Sequence, residues 1–379
     1  MASTNLEGAK PRVLVLGGCG FIGRNLVEYL VDNDLVSSVT VVDKVPPQTA
    51  WLNRKHQEIF ERQEVTFKSA NLIIPASCAN AFADAGEPID FVINCAGETK
   101  YGQTDPVYRE GILKLSLNCA TLAAKHNVKR YVELSSGHVY ANDKVAHKED
   151  DKIEPWTFVS KYKILVEEEL KTVPDLNHVV IRPAIVYGKG DKNGIVPRLV
   201  TGAVYRHLGE MMRLLWTKEL FMNTIHVQDL CRAMWLLCLR HADGGATRGH
   251  IFNVVDMGNT TQGCISSIVS EIFNINHDYV GSMLSSVCKA DMAGLVDEIN
   301  DKHVGPWAEA CAQNGIENTP LTPYLDSEML KNHHLCLDGT KLRSAVDFIH
   351  NFPEITKDSV KEILDDYVEM KLFPKTLVL

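Results

Sequence analysis

The first chemistry legible in this chain is in "VLVLGGCGFIG", where Gly17, Gly20 and Gly23 stand at three-residue intervals. Glycines so spaced often mark only a turn, but here a buried-type strand precedes them and an amphipathic helical run follows. In that setting Gly17 permits a tight turn, Gly20 lets the backbone approach a pyrophosphate, and Gly23 allows close helix–strand packing. Phe21 and Ile22 open the helix, whose first N–H groups and positive dipole end suit an anion. The next strand ends at Asp43, twenty residues past Gly23. A carboxylate there accepts both ribose hydroxyls of NAD and repels the additional phosphate of NADP. Lys44 beside it softens that exclusion, so NADP is the weaker expectation. Asn71 and Leu72, after the third strand, are placed to bracket an adenine.

These residues need a scaffold, and the first half of the chain supplies the pattern for one. The runs Arg12–Leu16, Ser38–Asp43, Glu64–Ala70, Ile89–Gly97, Lys129–Ser136 and His178–Gly188 are short, apolar and strand-like. Segments with 3.6-residue periodicity separate most of them. Such alternation predicts an α/β fold, a Rossmann-type doubly wound parallel sheet covered on both faces. After Gly188 the pattern loosens into a smaller, mainly helical C-terminal lobe. The expected division is a tail over 1–10, a dinucleotide-binding domain over 11–190 completed by 220–258, and a substrate-binding lobe from 191–219 and 259–379.

Composition narrows the classes of function. The apolar fraction of 45% is that of an ordinary globular protein, and the net charge of −9 argues against a general nucleic-acid binder. Ten cysteines lie scattered without a CxxC or a paired metal spacing, so no metal site is expected. Neither a signal-peptide core nor a membrane-spanning run occurs, which predicts a reduced, cytoplasmic protein. The acidic runs Glu149–Asp151 and Glu167–Glu169 read as solvated faces.

The segments "GGCGFIG", "VVDK", "NCAG", "VKRYVELSSGHVY", "SK", "RPAIVYGKGD", "TIHVQDLCRAM" and "GHIFNVVD" follow one another over roughly residues 11–260. Together they resemble the extended short-chain dehydrogenase/reductase family, the NAD-dependent epimerase/dehydratase group. The C-terminal tail is more weakly similar to the 3β-hydroxysteroid dehydrogenase branch. The resemblance implies that Gly17, Gly20, Gly23 and Asp43 hold the ADP half of NAD. Ala96 and Gly97 would then pass close to its ribose and phosphate, Pro183 would border the nicotinamide, and Lys161 would bind the nicotinamide ribose. Ser136 would be the catalytic serine that hydrogen-bonds a substrate hydroxyl or carbonyl.

The pattern breaks at one position. The resembling enzymes use a Tyr-x-x-x-Lys pair, in which lysine lowers the phenol pKa so that tyrosinate takes the hydroxyl proton. Four residues before Lys161 stands Thr157, whose aliphatic hydroxyl cannot serve as a base near neutrality. Tyr162 lies about 140° around a helix from Thr157. His138, Glu98, Tyr101 and Tyr140 are the other candidates for proton transfer, and Gly137-His138 stands where the dehydratases carry Asp-Glu. His226 reads as structural, with Asp229 capping the following helix. Adjacent His333 and His334 do not converge as metal ligands without others.

Two functions are therefore expected. One is hydride transfer on a secondary alcohol, of nucleotide-sugar or sterol type. The other is a catalytically impaired, NAD-binding sensor, scaffold or assembly subunit. A partner surface on the insertion Val304–Pro323 would suit the second. The family resemblance separately implies a homodimer, for which the segment Asp105–His126 and the Thr157 helix would be the place.

Overall fold

The computed structural model describes residues 9–83, 88–242, 245–281 and 292–378. Most of the expected N-terminal tail, 1–8, lies outside them, as does 282–291 of the second lobe. Eleven strands are described: β1 (Arg12–Leu16), β2 (Ser38–Asp43), β3 (Val65–Ser69), β4 (Phe91–Asn94), β5 (Arg130–Leu134), β6 (His178–Pro183), β7 (Ile185–Tyr187), β8 (Met212–Leu214), β9 (Thr224–His226), β10 (Ile251–Val254) and β11 (His277–Tyr279). Seven form one parallel sheet in the order β10-β6-β5-β4-β1-β2-β3. Order reverses between β1 and β4, the place where open α/β sheets leave a crevice beyond their carboxyl ends.

The apolar strands alternate their side chains between two layers. Val13 and Val15 of β1 pack with Leu26, Val27, Leu30 and Val31 of α1 (Phe21–Asp32). Leu14 and Leu16 face the opposite layer, with Cys78, Cys119, Tyr162 and Val166. That second layer comprises α3 (Pro75–Phe82), α5 (Leu115–Lys125) and α6 (Phe158–Leu170); α2 (Arg54–Phe60) precedes β3, and α4 (Asp105–Tyr108) precedes α5. Both faces are thus buried, which is why these strands carry continuous apolar runs rather than alternation.

The second lobe has its own core, built from α7 (Val196–Leu208), α9 (Gln262–Phe273), α10 (Met292–Gln313) and α12 (Lys357–Glu369). The chain returns to the sheet between them through α8 (Val227–Leu239) and β10, and again at α11 (Thr340–Val346), which packs on β10. Gly305 and Pro306, at the start of the segment Val304–Pro323, lie inside α10. Trp307, directly after Pro306, and Ala310 and Cys311, one turn on, are buried in the core of this lobe. No helix among the described residues is long and apolar enough to cross a membrane.

Candidate functional site

The glycine loop sits at the reversal of strand order. Gly17 has φ 72°, and a Cβ there would come within 2.7 Å of the Ala96 backbone. This close approach leaves room for glycine alone. A Cβ on Gly23 would strike the Gly17 carbonyl. Gly17 N–H donates to Val42 O (2.8 Å) and Gly20 N–H to Gly17 O (3.0 Å), closing the turn. Helix α1 begins after Gly20 without a side-chain cap, so Phe21 and Ile22 open a first turn suited to an anion. Asp43 leans onto this loop: one carboxylate oxygen accepts Cys19 N–H (3.1 Å), the other Val45 N–H (3.0 Å). The cradle that only glycine permits, with a carboxylate at the end of β2, fits a dinucleotide.

A buried cation from the first turn of α1 braces this loop. Arg24 is 4% exposed and spreads its guanidinium over the carbonyls of Cys19, Gly20, Ala50 and Trp51. Trp51 adopts φ 55°, uncommon for a bulky residue, with its carbonyl held 2.7 Å from Arg24 and its side chain on the surface. Trp51 also lines an open cleft of about 1400 Å³ between α2 and α12. Of the expected adenine bracket, only Asn71 faces outward. Leu72 is packed in the core at 4% exposure because its apolar side chain belongs to the α3–α5 layer.

The other end of the crevice departs more sharply from expectation. Thr157 does not share a helical face with Lys161, because it lies outside the helix. It is the N-cap of α6, 5% exposed, and its hydroxyl accepts Ser160 N–H (3.0 Å). Ser160 returns the bond by accepting Thr157 N–H (3.1 Å), completing a capping box. The helix consequently starts at Phe158, and Lys161 points outward, exposed, with Nζ 6.0 Å from the Phe158 ring.

Two residues on, Lys163 is 6% exposed. Its Nζ donates to Leu134 O, stands 3.3 Å from Glu133 Oε1, and would lie 3.6 Å from a Cβ placed on Gly97. The ammonium therefore occupies the carboxyl ends of β4 and β5, beside Ala96 and Gly97. Glu133 is fully buried and also accepts from Asn94, Ser116 and Tyr131. One turn before Lys163 stands Val159, which has no ionisable group. The phenol is absent in either register.

Ser136 ends its loop beside Pro183: Gly137 N–H donates to Pro183 O (2.9 Å). Ser136 Oγ lies 3.1 Å from His138 Nδ1 and accepts His138 N–H at 3.2 Å. The His138 ring meets the Trp156 edge at 5.0 Å, and Trp156 stacks on His333 at 4.3 Å. Burial, then the nearby His333, lowers the His138 pKa to about 4, so the imidazole is neutral near pH 7. Tyr140 is spent structurally, its hydroxyl donating to Asn253 Oδ1 (2.7 Å). Tyr162 donates to Asp105 Oδ1 (2.6 Å), while Glu98 holds Lys100 N–H. Burial pushes the Tyr101 phenol up to about 12.

Several smaller readings need correction. His226, not Asp229, caps α8, by accepting Gln228 N–H; Asp229 instead accepts from Asn351 and Phe352 N–H. The acidic runs are not wholly solvated. Glu149 is 8% exposed and accepts Asn253 N–H, and Glu167 is 2% exposed and pairs with Arg182 (2.5 Å). Parallel strands bring the Arg182 charge inside, and a buried acid must neutralise it. Among the described residues no group of three His, Cys, Asp or Glu is placed to hold a metal.

Known proteins agree with this architecture. The sterol-4-alpha-carboxylate 3-dehydrogenase (decarboxylating) of Candida albicans is 26% identical over 330 residues, covering 82% of this chain and 86% of that protein. Its Saccharomyces cerevisiae counterpart is 26% identical over 195 residues, 49% of this chain and 54% of the relative, so the match spans about half that protein's length. Among solved structures, the Thermus thermophilus UDP-glucose 4-epimerase complex with NAD superposes with a TM-score of 0.65. It has 18% identity, covering 94% of this chain and 99% of the other. The UDP-glucuronic acid 4-epimerase of Bacillus cereus superposes at 0.69 with 13% identity, covering 95% and 99%. At those identities the superpositions show the fold alone. The family model that matches residues 13–254 spans more than half the sequence: the chain belongs to the NAD dependent epimerase/dehydratase family.

Proposed function

We propose that this chain binds NAD(H) across the strand-order reversal and that its hydride-transfer chemistry is impaired by the loss of the phenolic base. The ADP half lies on Gly17, Gly20, Phe21, Ile22 and Gly23, with Asp43 on the ribose hydroxyls, which favours NAD over NADP. Ala96, Gly97 and Pro183 line the path to the nicotinamide. Lys163, rather than Lys161, serves the nicotinamide ribose. Bound there, the nicotinamide supplies hydride exchange with the carbon of a secondary alcohol. Ser136 positions the alcohol oxygen.

The observation that carries this reading is the pairing of buried Lys163 with Val159 one turn earlier, while the hydroxyl of Thr157 is committed to capping α6. Binding residues are kept and the proton acceptor is missing. The named activities of the relatives make a sterol or a nucleotide-sugar the substrate class for any remaining turnover. Without turnover, the protein acts as a dinucleotide-responsive sensor or assembly subunit.

Calorimetric titration tests the binding half. NADH binds, and NADPH binds at least about tenfold more weakly because Asp43 repels its phosphate. No heat or thermal shift with NADH refutes the proposal.

A further inference from the structure

His138 is a histidine the family's chemistry leaves unused, and it is joined to the one catalytic hydroxyl that this chain keeps. Ser136 Oγ faces two nitrogens of the same residue: backbone N–H at 3.2 Å and ring Nδ1 at 3.1 Å. The backbone donor takes one lone pair of the oxygen. What the ring does decides what Ser136 can offer a ligand. If Nδ1 carries the proton, it takes the second lone pair and leaves the serine O–H to donate, which suits a ketone. If Nδ1 is bare, the serine O–H is spent on it, and the remaining lone pair accepts from an alcohol.

Resting on the dinucleotide reading above, we propose that His138 is a positioning residue whose bare Nδ1 accepts the Ser136 O–H as a hydrogen bond and so presents Ser136 as an acceptor, selecting an alcohol over a ketone. Three features support it. The ring packs edge-on against Trp156, itself stacked on His333, in the orientation that sets Nδ1 against Ser136. The imidazole is neutral, its pKa lowered by burial, so a bare ring nitrogen is available. The residue is half-buried rather than fully enclosed, and no hydrogen bond to Nε2 occurs among the described residues, so Nε2 can carry the other proton.

Nitrogen-detected NMR of the imidazoles tests this directly on the full chain, with and without NADH, His138→Phe giving the assignment. The expected result is a neutral His138 protonated on Nε2. Its Nδ1 resonance sits at the hydrogen-bonded position and moves to the unbonded one in Ser136→Ala. A ring protonated on Nδ1, or an imidazolium at pH 7, overturns the proposal. Saturation-transfer NMR with cyclohexanol and cyclohexanone provides a second readout. Cyclohexanol should compete better by about two- to tenfold, the worth of one hydrogen bond, and lose that advantage in Ser136→Ala. An equal or stronger ketone signal, or no alcohol signal, overturns it. A failure of NADH to bind with the expected tautomer present refutes the dinucleotide reading alone.

Discussion

Replacing Thr157 by tyrosine looks like a repair of the family motif, yet the structure predicts damage. The Thr157 hydroxyl accepts Ser160 N–H at 3.0 Å and the side chain is 5% exposed. Loss of an N-cap costs about 0.5–2 kcal/mol. Forcing a phenol into a filled site adds about 1–3 kcal/mol, for a total of about 1.5–5 kcal/mol. Unfolding entropy near 2.1 cal/mol/K per residue gives about 0.8 kcal/mol/K for 379 residues. The expected fall in Tm is therefore about 2–6 °C for Thr157→Tyr. Thr157→Val, which keeps the shape and loses only the cap, should fall by about 1–2 °C, and Thr157→Ser by less than 1 °C. Differential scanning calorimetry of the three variants without dinucleotide is the assay. If Thr157→Tyr melts with wild type and gains turnover, Thr157 is a vacated catalytic position and not a cap, and the assignment of Lys163 falls with it.

Other outcomes follow from the same geometry. Val159→Tyr, one turn before Lys163, should raise NADH formation from a panel of secondary alcohols by about 10²-fold or more, the usual worth of a positioned base; an inert variant counts against Lys163. Lys163→Met should lose about 3–5 kcal/mol in urea unfolding, because Glu133 stays buried without its cation, whereas Lys161→Ala should be silent within about 0.5 kcal/mol. Asp43→Ala should weaken NADH by about tenfold or more in calorimetry while narrowing its margin over NADPH. Stability should fall on acidification. His138, His226, His303 and His333 are each lowered by burial from 6.5 to about 4. The unfolded chain takes up those protons first, so their contribution is complete above pH 6.5 and is lost as pH falls toward 4. Asp191 and Asp256, raised by burial to about 6, run the opposite way, their stabilisation being lost as pH rises from 3.8 through 6. Four imidazoles outweigh two carboxyls, and a Tm that rises between pH 6.5 and 4.5 would refute the balance.

The sheet and the glycine loop were legible in the sequence because backbone conformation and burial on two faces constrain residue type directly. Continuous apolar runs mark the parallel strands, and three glycines with a following Asp43 mark the crevice. At the other end of the crevice "SK" pointed to Lys161, whereas the buried lysine of α6 is Lys163, because a cap sets where the helix begins. Thr157 three residues before Ser160 is a capping-box spacing, and it fixes the helix start at Phe158. From that start, Lys163, Glu167 and Leu170 fall on one buried face. Their spacing was visible, but a charged residue inside an apolar face suggests solvent until its partner is known. Glu167 meets Arg182 from β6 and Lys163 meets Glu133 from β5. Such long-range pairs leave no periodic trace in the chain. The six-residue π-helical turn Arg109–Lys114, which frees the Gly111 carbonyl for Glu98 N–H (3.0 Å), likewise has no marker in the sequence.

The Arg24 clamp turns an indole into an optical gauge of the phosphate crevice. Its guanidinium grips the Gly20 carbonyl on one side and the Trp51 carbonyl on the other. The same side chain thus links the glycine turn to a tryptophan that is 37% exposed at the surface, and a shift of that turn around an anion is expected to reach it. The emission of Trp51 thus offers a label-free signal of occupancy, and Trp51→Phe supplies the blank that separates it from the other four indoles.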